Sequence, residues 1–330
     1  MYLTNLCRGV YMQKVSLGKS GIMVPPLVFG ANVFGWGVEE RSAFALLDRL
    51  LDKGFDTIDT ADIYSYWASG VGGESEVIIG NWLRTRGNRD QVFVHTKGGA
   101  PDAPGEFANA DLSAAYLTKA VEGSLRRLGT DYIDLYYVHF DDNKTAPEET
   151  LTALQRLIDQ GKIRAIGASN FTPERLAASL KVAKENSLTP YTCLQTHYNL
   201  YERSGYESGL ESLCVAEGLG VLSYYSLASG FLTGKYRSEA DLAKSASRGS
   251  SVAQYLTPRG LLILEALDRA AQKYNATQAQ IALAWIMARP GFTSAIASAT
   301  KIEQLDDLMA AAEIVLDEES IKDLTEASAY

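Results

Sequence analysis

The chain reads as a single α/β domain: a (β/α)8 barrel of the TIM type preceded by an N-terminal β-hairpin. Short β-branched and aromatic runs alternate with longer stretches of helical periodicity, the order expected of parallel strands joined by crossover helices. The strand-like runs number close to eight. The length, 330 residues, suits one barrel core, so residues 1–330 are taken as one domain.

Residues 1–11 precede the first patterned segment and read as a tail. With one side-chain charge, at Arg8, and a short apolar stretch, they do not make a signal peptide. The runs 13–17 and 22–25 flank Gly18, Lys19, Ser20 and Gly21, a Gly-bounded link that suits a hairpin closing the bottom of a barrel. Strand-like runs follow at 27–31, 55–59, 92–97, 133–139, 163–169, 192–196, 220–224 and 293–297. Between them, Leu46, Leu47, Leu50 and Leu51, or Leu117, Val121, Leu125 and Leu128, recur at helical spacing and mark faces that pack inward. Residues 225–258 are rich in Gly, Ser and Ala and lack that periodicity. A loop so long, placed after the seventh strand, reads as a candidate flap, because barrels bind phosphate with the loops after strands seven and eight.

Composition narrows the partners. The chain is 46% hydrophobic and 22% charged, and no apolar run approaches the roughly 18 residues of a membrane span. Forty acidic residues against 31 basic ones give a net charge of -9, a field that repels nucleic-acid backbones and anionic membranes. Neither is expected as a partner. Cys7, Cys193 and Cys214 show no CxxC spacing, which suits a reducing compartment, with the cytoplasm as the default. His95, His139 and His197 fall on different strands without ligand spacing, so no metal is expected.

The ends of the proposed strands carry Asp59, Lys97, His139, Ser169 with Asn170, Gln195 and Tyr224. In a barrel these ends converge on the C-terminal rim, where active sites sit. Each has a structural alternative: Asp59 a helix cap, Lys97 a surface lysine, His139 a core histidine, Tyr64 one packing tyrosine among 18. The motifs are more specific as an ordered set. FDTIDTADIY holds Asp59 and Tyr64 five apart, VFVHTKGG holds Lys97, and DLYYVH holds His139. GASN, QTHYN and YYSLASGFLTGKY follow. Over nearly its whole length the chain resembles the aldo-keto reductases.

That resemblance implies an NADP-dependent oxidoreductase that reduces a small-molecule aldehyde or ketone to an alcohol, reversibly. Carbonyl reduction needs a hydride on carbon and a proton on oxygen. Tyr64 is the implied donor, since a phenol holds its proton at neutral pH and a neighbouring ammonium favours the phenolate left behind. Lys97 supplies that charge, Asp59 keeps the lysine charged and placed, and His139 orients the carbonyl oxygen.

No GxGxxG follows a strand, and Gly70, Gly72 and Gly73 have the wrong spacing for a Rossmann fingerprint. The resemblance instead implies that Ser169, Asn170 and Gln195 hold the nicotinamide carboxamide of NADPH/NADP+, with Tyr224 stacking on its ring. Tyr225 and Ser226 stand where serine and proline are more familiar in the family, so Tyr225 is the alternative stacking residue. Leu227, Ser229, Gly230 and Lys235 are further implied cofactor contacts, which makes 225–258 a cofactor flap. Near the C-terminus, Thr300 and Glu303 have capping-box spacing. Lys301 would then sit in a first turn, where a nearby anion explains a cation; in this family that anion is the 2′-phosphate of NADPH. Ser298, Gln304 and Asp307 are assigned to the same end, although Leu308 replaces an asparagine often found there.

Phe34, Trp36, Tyr66, Trp67 and Phe140 are read as an aromatic substrate mouth, with Trp36, Trp67 and Phe140 the chosen contacts. Two other readings stay open. The same fold serves some relatives as a cofactor-binding regulatory subunit with slow or no turnover, and Lys97 could form a Schiff base in a lyase or isomerase.

Overall fold

A computed structural model describes residues 13–100, 110–244 and 249–330, without the side chains of 249–250. The tail at 1–11, and Cys7 within it, lie outside the described residues. Two short antiparallel strands, β1 (Val15–Ser16) and β2 (Met23–Val24), form the hairpin. Eight further strands follow: β3 (Leu27–Gly30), β4 (Thr57–Asp59), β5 (Phe93–Gly98), β6 (Ile133–Val138), β7 (Ile163–Ser169), β8 (Cys193–His197), β9 (Gly220–Tyr224) and β10 (Phe292–Ala297). They pair in parallel and close into a barrel in the order β10, β3, β4, β5, β6, β7, β8, β9. Sequential neighbours with helical crossovers give this order without crossing connections.

The pleat divides the core in two. One set of strand side chains faces outward against the helices, where Leu46, Leu47 and Leu50 of the helix Glu40–Asp52 are buried. The other set fills the barrel, and Val28, Leu135, Tyr137, Ala165, Cys193, Leu222 and Ile296 pack there. Leu17, Ile22 and Val24 of the hairpin join this inner cluster, so the hairpin plugs the N-terminal end of the barrel. The plug depends on Gly18, whose φ of +52° is left-handed; a Cβ there would lie 2.2 Å from the Thr192 carbonyl oxygen and 2.5 Å from the Gly220 nitrogen.

Two expectations meet the structure here. Of residues 225–258, read as a candidate flap, the described part forms short turns at Ala228–Thr233, Glu239–Lys244, Gly249–Val252 and Ala253–Tyr255. Burial of Phe231, Leu232, Tyr236, Val252 and Tyr255 holds these turns, and such tertiary packing leaves no periodic signature. The second is Phe34, which is fully buried against Phe29 at 5.4 Å and belongs to the core rather than the mouth. Among the described residues no helix is long and apolar enough to cross a membrane, and no cluster of His, Cys, Asp and Glu is arranged to hold a metal.

Candidate active site

The C-terminal ends of the strands open into one elongated cavity of about 1380 Å³. At its floor Lys97, fully buried on β5, reaches the Asp59 carboxylate of β4 at 2.6 Å. The same ammonium donates to the Thr60 carbonyl oxygen at 2.7 Å and to the Tyr64 hydroxyl at 3.0 Å. Three donors meet three acceptors, so the ammonium is saturated. The Tyr64 oxygen accepts from Lys97, which leaves its own proton to be donated into the cavity it lines.

The electrostatics follow from burial and this pairing. Burial works against a charged Lys97, yet Asp59 and then Tyr64 together offset it and hold the lysine above its ordinary range. A lysine held charged is a poor nucleophile, which disfavours the Schiff-base reading. Burial also lifts Tyr64 above the usual phenol range, with Lys97 opposing, so the phenol keeps its proton at neutral pH. His139 follows β6, its backbone N–H donating to the Gly98 carbonyl at 2.8 Å. Burial, and then the charge of Lys97, push the imidazole well below its ordinary range, so it is neutral near pH 7. Its Nδ1 has no partner among the described residues.

A second network lies beside the first. The Asn170 side-chain amide donates to the His139 carbonyl at 3.0 Å and to the Ser169 hydroxyl at 3.1 Å, and the Tyr224 hydroxyl donates to Asn170 Oδ1 at 2.5 Å. Gln195 Nε2 donates to the free oxygen of Asp59 at 2.8 Å, which ties Gln195 to the Lys97 network, a contact that sequence reasoning did not foresee. His197 was missed as well. Its ring stacks on Tyr224 at 5.3 Å and 19°. Period two along β8 carries the signal, because His197 shares the inward face of Gln195. Asn32 also lines the cavity, and its Oδ1 accepts from the Ser298 hydroxyl at 2.6 Å.

Ser169, Asn170, Gln195, Tyr224, Tyr225, Leu227, Ser229, Gly230, Lys235, Ser298, Thr300, Gln304 and Asp307 all line the same cavity. Tyr225, Ala228 and Ser229 adopt φ of 51°, 47° and 56°. Left-handed backbone costs such residues of order 1 kcal/mol each, and clusters of it occur at ligand sites. Lys301 is not among the lining residues. The helix begins at Ile302 with Lys301 as its N-cap, one residue before the first turn, because Thr300 bonds Gln304 Oε1 through both its N–H and its hydroxyl rather than forming a box with Glu303. Trp36 is likewise set back: it meets Trp67 edge-on at 5.8 Å, while Trp67 and Phe140 form the wall itself.

The model of the Aldo/keto reductase family matches residues 26–329. The chain belongs to the aldo/keto reductase family. Similar proteins include the oxidoreductase YrpG of Bacillus subtilis, 33% identical over 96% of this chain and 95% of that protein. An L-glyceraldehyde 3-phosphate reductase of Escherichia coli is 31% identical over 93% and 89% of the two chains. A probable voltage-gated potassium channel subunit beta of Oryza sativa is 33% identical over 92% of each. As an aldo/keto reductase, the chain is supported as an oxidoreductase of carbonyl compounds, a family that generally works with a nicotinamide cofactor.

Proposed function

We propose that this aldo/keto reductase reduces an aldehyde or ketone to the alcohol with NADPH, using Tyr64 as the proton donor. One observation carries the reading: the Lys97 ammonium donates to Asp59, Thr60 and the Tyr64 oxygen, so the phenol proton is not used in that bond and is free for an acceptor in the cavity that Tyr64 lines. As the proton moves to a carbonyl oxygen, negative charge develops on the Tyr64 oxygen, 3.0 Å from the ammonium. Preorganised charge at that distance stabilises it without rearrangement. Asp59 keeps Lys97 protonated and positioned. His139, neutral, donates a hydrogen bond that orients the carbonyl oxygen.

The cavity fits a dinucleotide. It runs from Tyr64 and His139 to Thr300, Gln304 and Asp307, with amide and hydroxyl groups at one end and the strained 225–230 backbone along its side. Ser169, Asn170 and Gln195 would hold the carboxamide, Tyr224 would stack, and Leu227, Ser229, Gly230, Lys235, Ser298, Thr300, Gln304 and Asp307 would take the rest. Bound there, the cofactor supplies the hydride. Lys301, exposed at the helix N-terminus, supports a preference for the 2′-phosphate.

The test is a fluorescence titration with NADPH and NADH followed by an absorbance assay with 4-nitrobenzaldehyde. Tighter binding of NADPH with oxidation is expected. Tight binding without turnover would favour the regulatory reading that the potassium-channel relative keeps in view; no binding would refute both.

A further inference from the structure

Strands β4 and β8 stand opposite one another in the ring of eight, so their inward side chains face across the barrel. Asp59 closes β4 and Gln195 lies on β8. Gln195 Nε2 donates to Asp59 Oδ1 at 2.8 Å, and both residues are buried. This hydrogen bond therefore spans the barrel from wall to wall, at the floor of the cavity that both residues line. Tyr137 of β6 packs one level lower, beside Cys193. Its ring lies over Gly167 of β7, where a Cβ would come within 2.6 Å of the ring and 2.7 Å of Cys193 Sγ.

The partner fixes which way the amide points. Asp59 Oδ2 accepts from the Lys97 ammonium at 2.6 Å, and a carboxylate oxygen at 2.8 Å from the amide takes a donor. A reversed amide would set oxygen against oxygen at that distance. Nε2 is thus committed to Asp59, and Oε1 stands outside that bond. Asp59 in turn is gripped at both oxygens, one from each wall, while Lys97 gives its other two donors to the Thr60 carbonyl and the Tyr64 hydroxyl. A carboxylate held at one oxygen alone would be free to turn about Cβ–Cγ and carry Oδ2 off the ammonium. Resting on the reductase reading above, we infer that Gln195 is a positioning residue for the Asp59 and Lys97 pair: through Asp59 it holds the ammonium on the Tyr64 oxygen, a role separate from any contact its carbonyl oxygen makes with the cofactor.

Burial lifts the Asp59 carboxyl above its ordinary range, and Lys97 and then the Gln195 amide oppose it. Other ionisable groups facing Asp59 are Tyr64 in the loop after β4, Tyr137 on β6 and Cys193 on β8, with His95 level with it on β5. Burial keeps the two phenols and the thiol protonated and the imidazole neutral near pH 7. None of them supplies the positive charge or the fixed donor that Lys97 and Gln195 supply. Loss of the amide donor therefore widens the pH range over which Asp59 binds a proton, and a protonated Asp59 no longer holds a charged Lys97 in place.

The test measures kcat/KM for 4-nitrobenzaldehyde at saturating NADPH from about pH 5 to 9 in the parent, Gln195→Met and Gln195→Glu, all as full chains. Urea unfolding of the same chains without added cofactor covers the same range. Gln195→Met offers Asp59 no donor, so the acid limb of its profile should lie about one pH unit above the parent's. It should also unfold at lower urea while Asp59 is ionised, and the gap between the two midpoints should narrow as the pH falls and Asp59 takes up a proton. Gln195→Glu donates to Asp59 while its own carboxyl is protonated, so relative to the parent it should lose at least about tenfold in kcat/KM from the acid to the alkaline end. A side chain that served the cofactor alone would lower kcat/KM by one factor at every pH in Gln195→Met, and an ionised carboxylate in Gln195→Glu would still accept a hydrogen bond. Parallel profiles for the parent and Gln195→Met, or a midpoint gap that does not change with pH, overturn the inference while the reductase reading stands. Should Gln195→Met fail to fold, the trend of Gln195→Glu decides in the same way. A parent that oxidises no NADPH removes the reductase reading, and the midpoint gap then decides by itself whether Gln195 holds Asp59.

Discussion

Replacing Lys97 by methionine removes the ammonium while keeping an unbranched side chain in its place. The charge lies 3.0 Å from the Tyr64 oxygen. At an effective dielectric of about 20, unit charges at that separation interact by about 5 kcal/mol. With about 1.4 kcal/mol per tenfold in rate, and part of that interaction recovered by relaxation and water, kcat/KM should fall by roughly a thousandfold. Stability should fall too. Asp59 would keep its hydrogen bond from Gln195 and lose its counter-charge in a site where burial already lifts its pKa. Breaking a buried pair on one side costs roughly 3–5 kcal/mol, and Asp59 would take up a proton to limit that cost. The double variant Asp59→Asn, Lys97→Met removes both charges, so it should recover much of the stability and none of the activity. Urea unfolding followed by tryptophan fluorescence, with NADPH oxidation by 4-nitrobenzaldehyde in parallel, separates the two effects. A single variant within about tenfold of the parent in kcat/KM would refute the role of the ammonium. A double variant no more stable than Lys97→Met would refute the account of the pair.

Tyr64→Phe should abolish reduction while the dissociation constant for NADPH stays within about threefold of the parent; joint loss of binding and turnover in a titration would count against the donor role. His95 lies within the barrel with neither ring nitrogen hydrogen-bonded among the described residues, and burial pushes it down to about 3. The unfolded histidine titrates near 6.5. Below that value the unfolded chain binds a proton that the folded one does not, so His95 removes stability as pH falls from about 6.5 toward 3. His95→Leu should gain on the parent by up to about 1.4 kcal/mol per pH unit in that window, whereas a difference independent of pH would be incompatible with a buried neutral ring. Asp62, lifted by burial to about 8, acts with the opposite sign in parent and variant alike and cancels in the difference. Gly18→Ala should lower stability by roughly 2 kcal/mol by driving a Cβ into the ends of β8 and β9, with kcat/KM unchanged; an unchanged Tm would mean that the hairpin does not plug the barrel.

The parts of the fold legible in the sequence are those whose burial repeats. Strands β7 and β9 were readable to both ends, because a parallel strand buried on both faces is an apolar or small-residue run with a polar residue at its exit, broken in β7 only by the exposed Arg164 near its start. At β4 the run begins earlier than the strand: the Phe55 N–H closes the preceding helix by donating to the Leu50 carbonyl at 3.1 Å, and pairing starts at Thr57. An apolar residue satisfies a helix end and a strand start equally well, so composition does not divide them. The turns after β9 were illegible for a different reason. Their stability comes from single large side chains such as Phe231 and Tyr255, which stack on one another at 5.5 Å, and one contact between isolated aromatics has no period to detect.

The site was legible to the same depth and for the same physical reason. Parity along a strand fixes which face a residue takes, and a rim position fixes which end, so Asp59, Lys97, His139, Gln195 and Tyr224 could be brought together from sequence. What parity does not fix is height, which is set by register between strands. Asp59 is level with His95, and Lys97 stands two residues further along β5. A short side chain at either position would leave the two charges apart. The lysine stem closes that offset by reaching across to the carboxylate at 2.6 Å and to Tyr64 in the loop beyond β4. In the same way Ser169 is level with Gln195 and His197 with Tyr224, and from those two levels come the Asn170 to Tyr224 hydrogen bond and the His197 stack. The barrel's stagger therefore decides which rim residues meet, and residue type decides only which of those meetings can carry a proton.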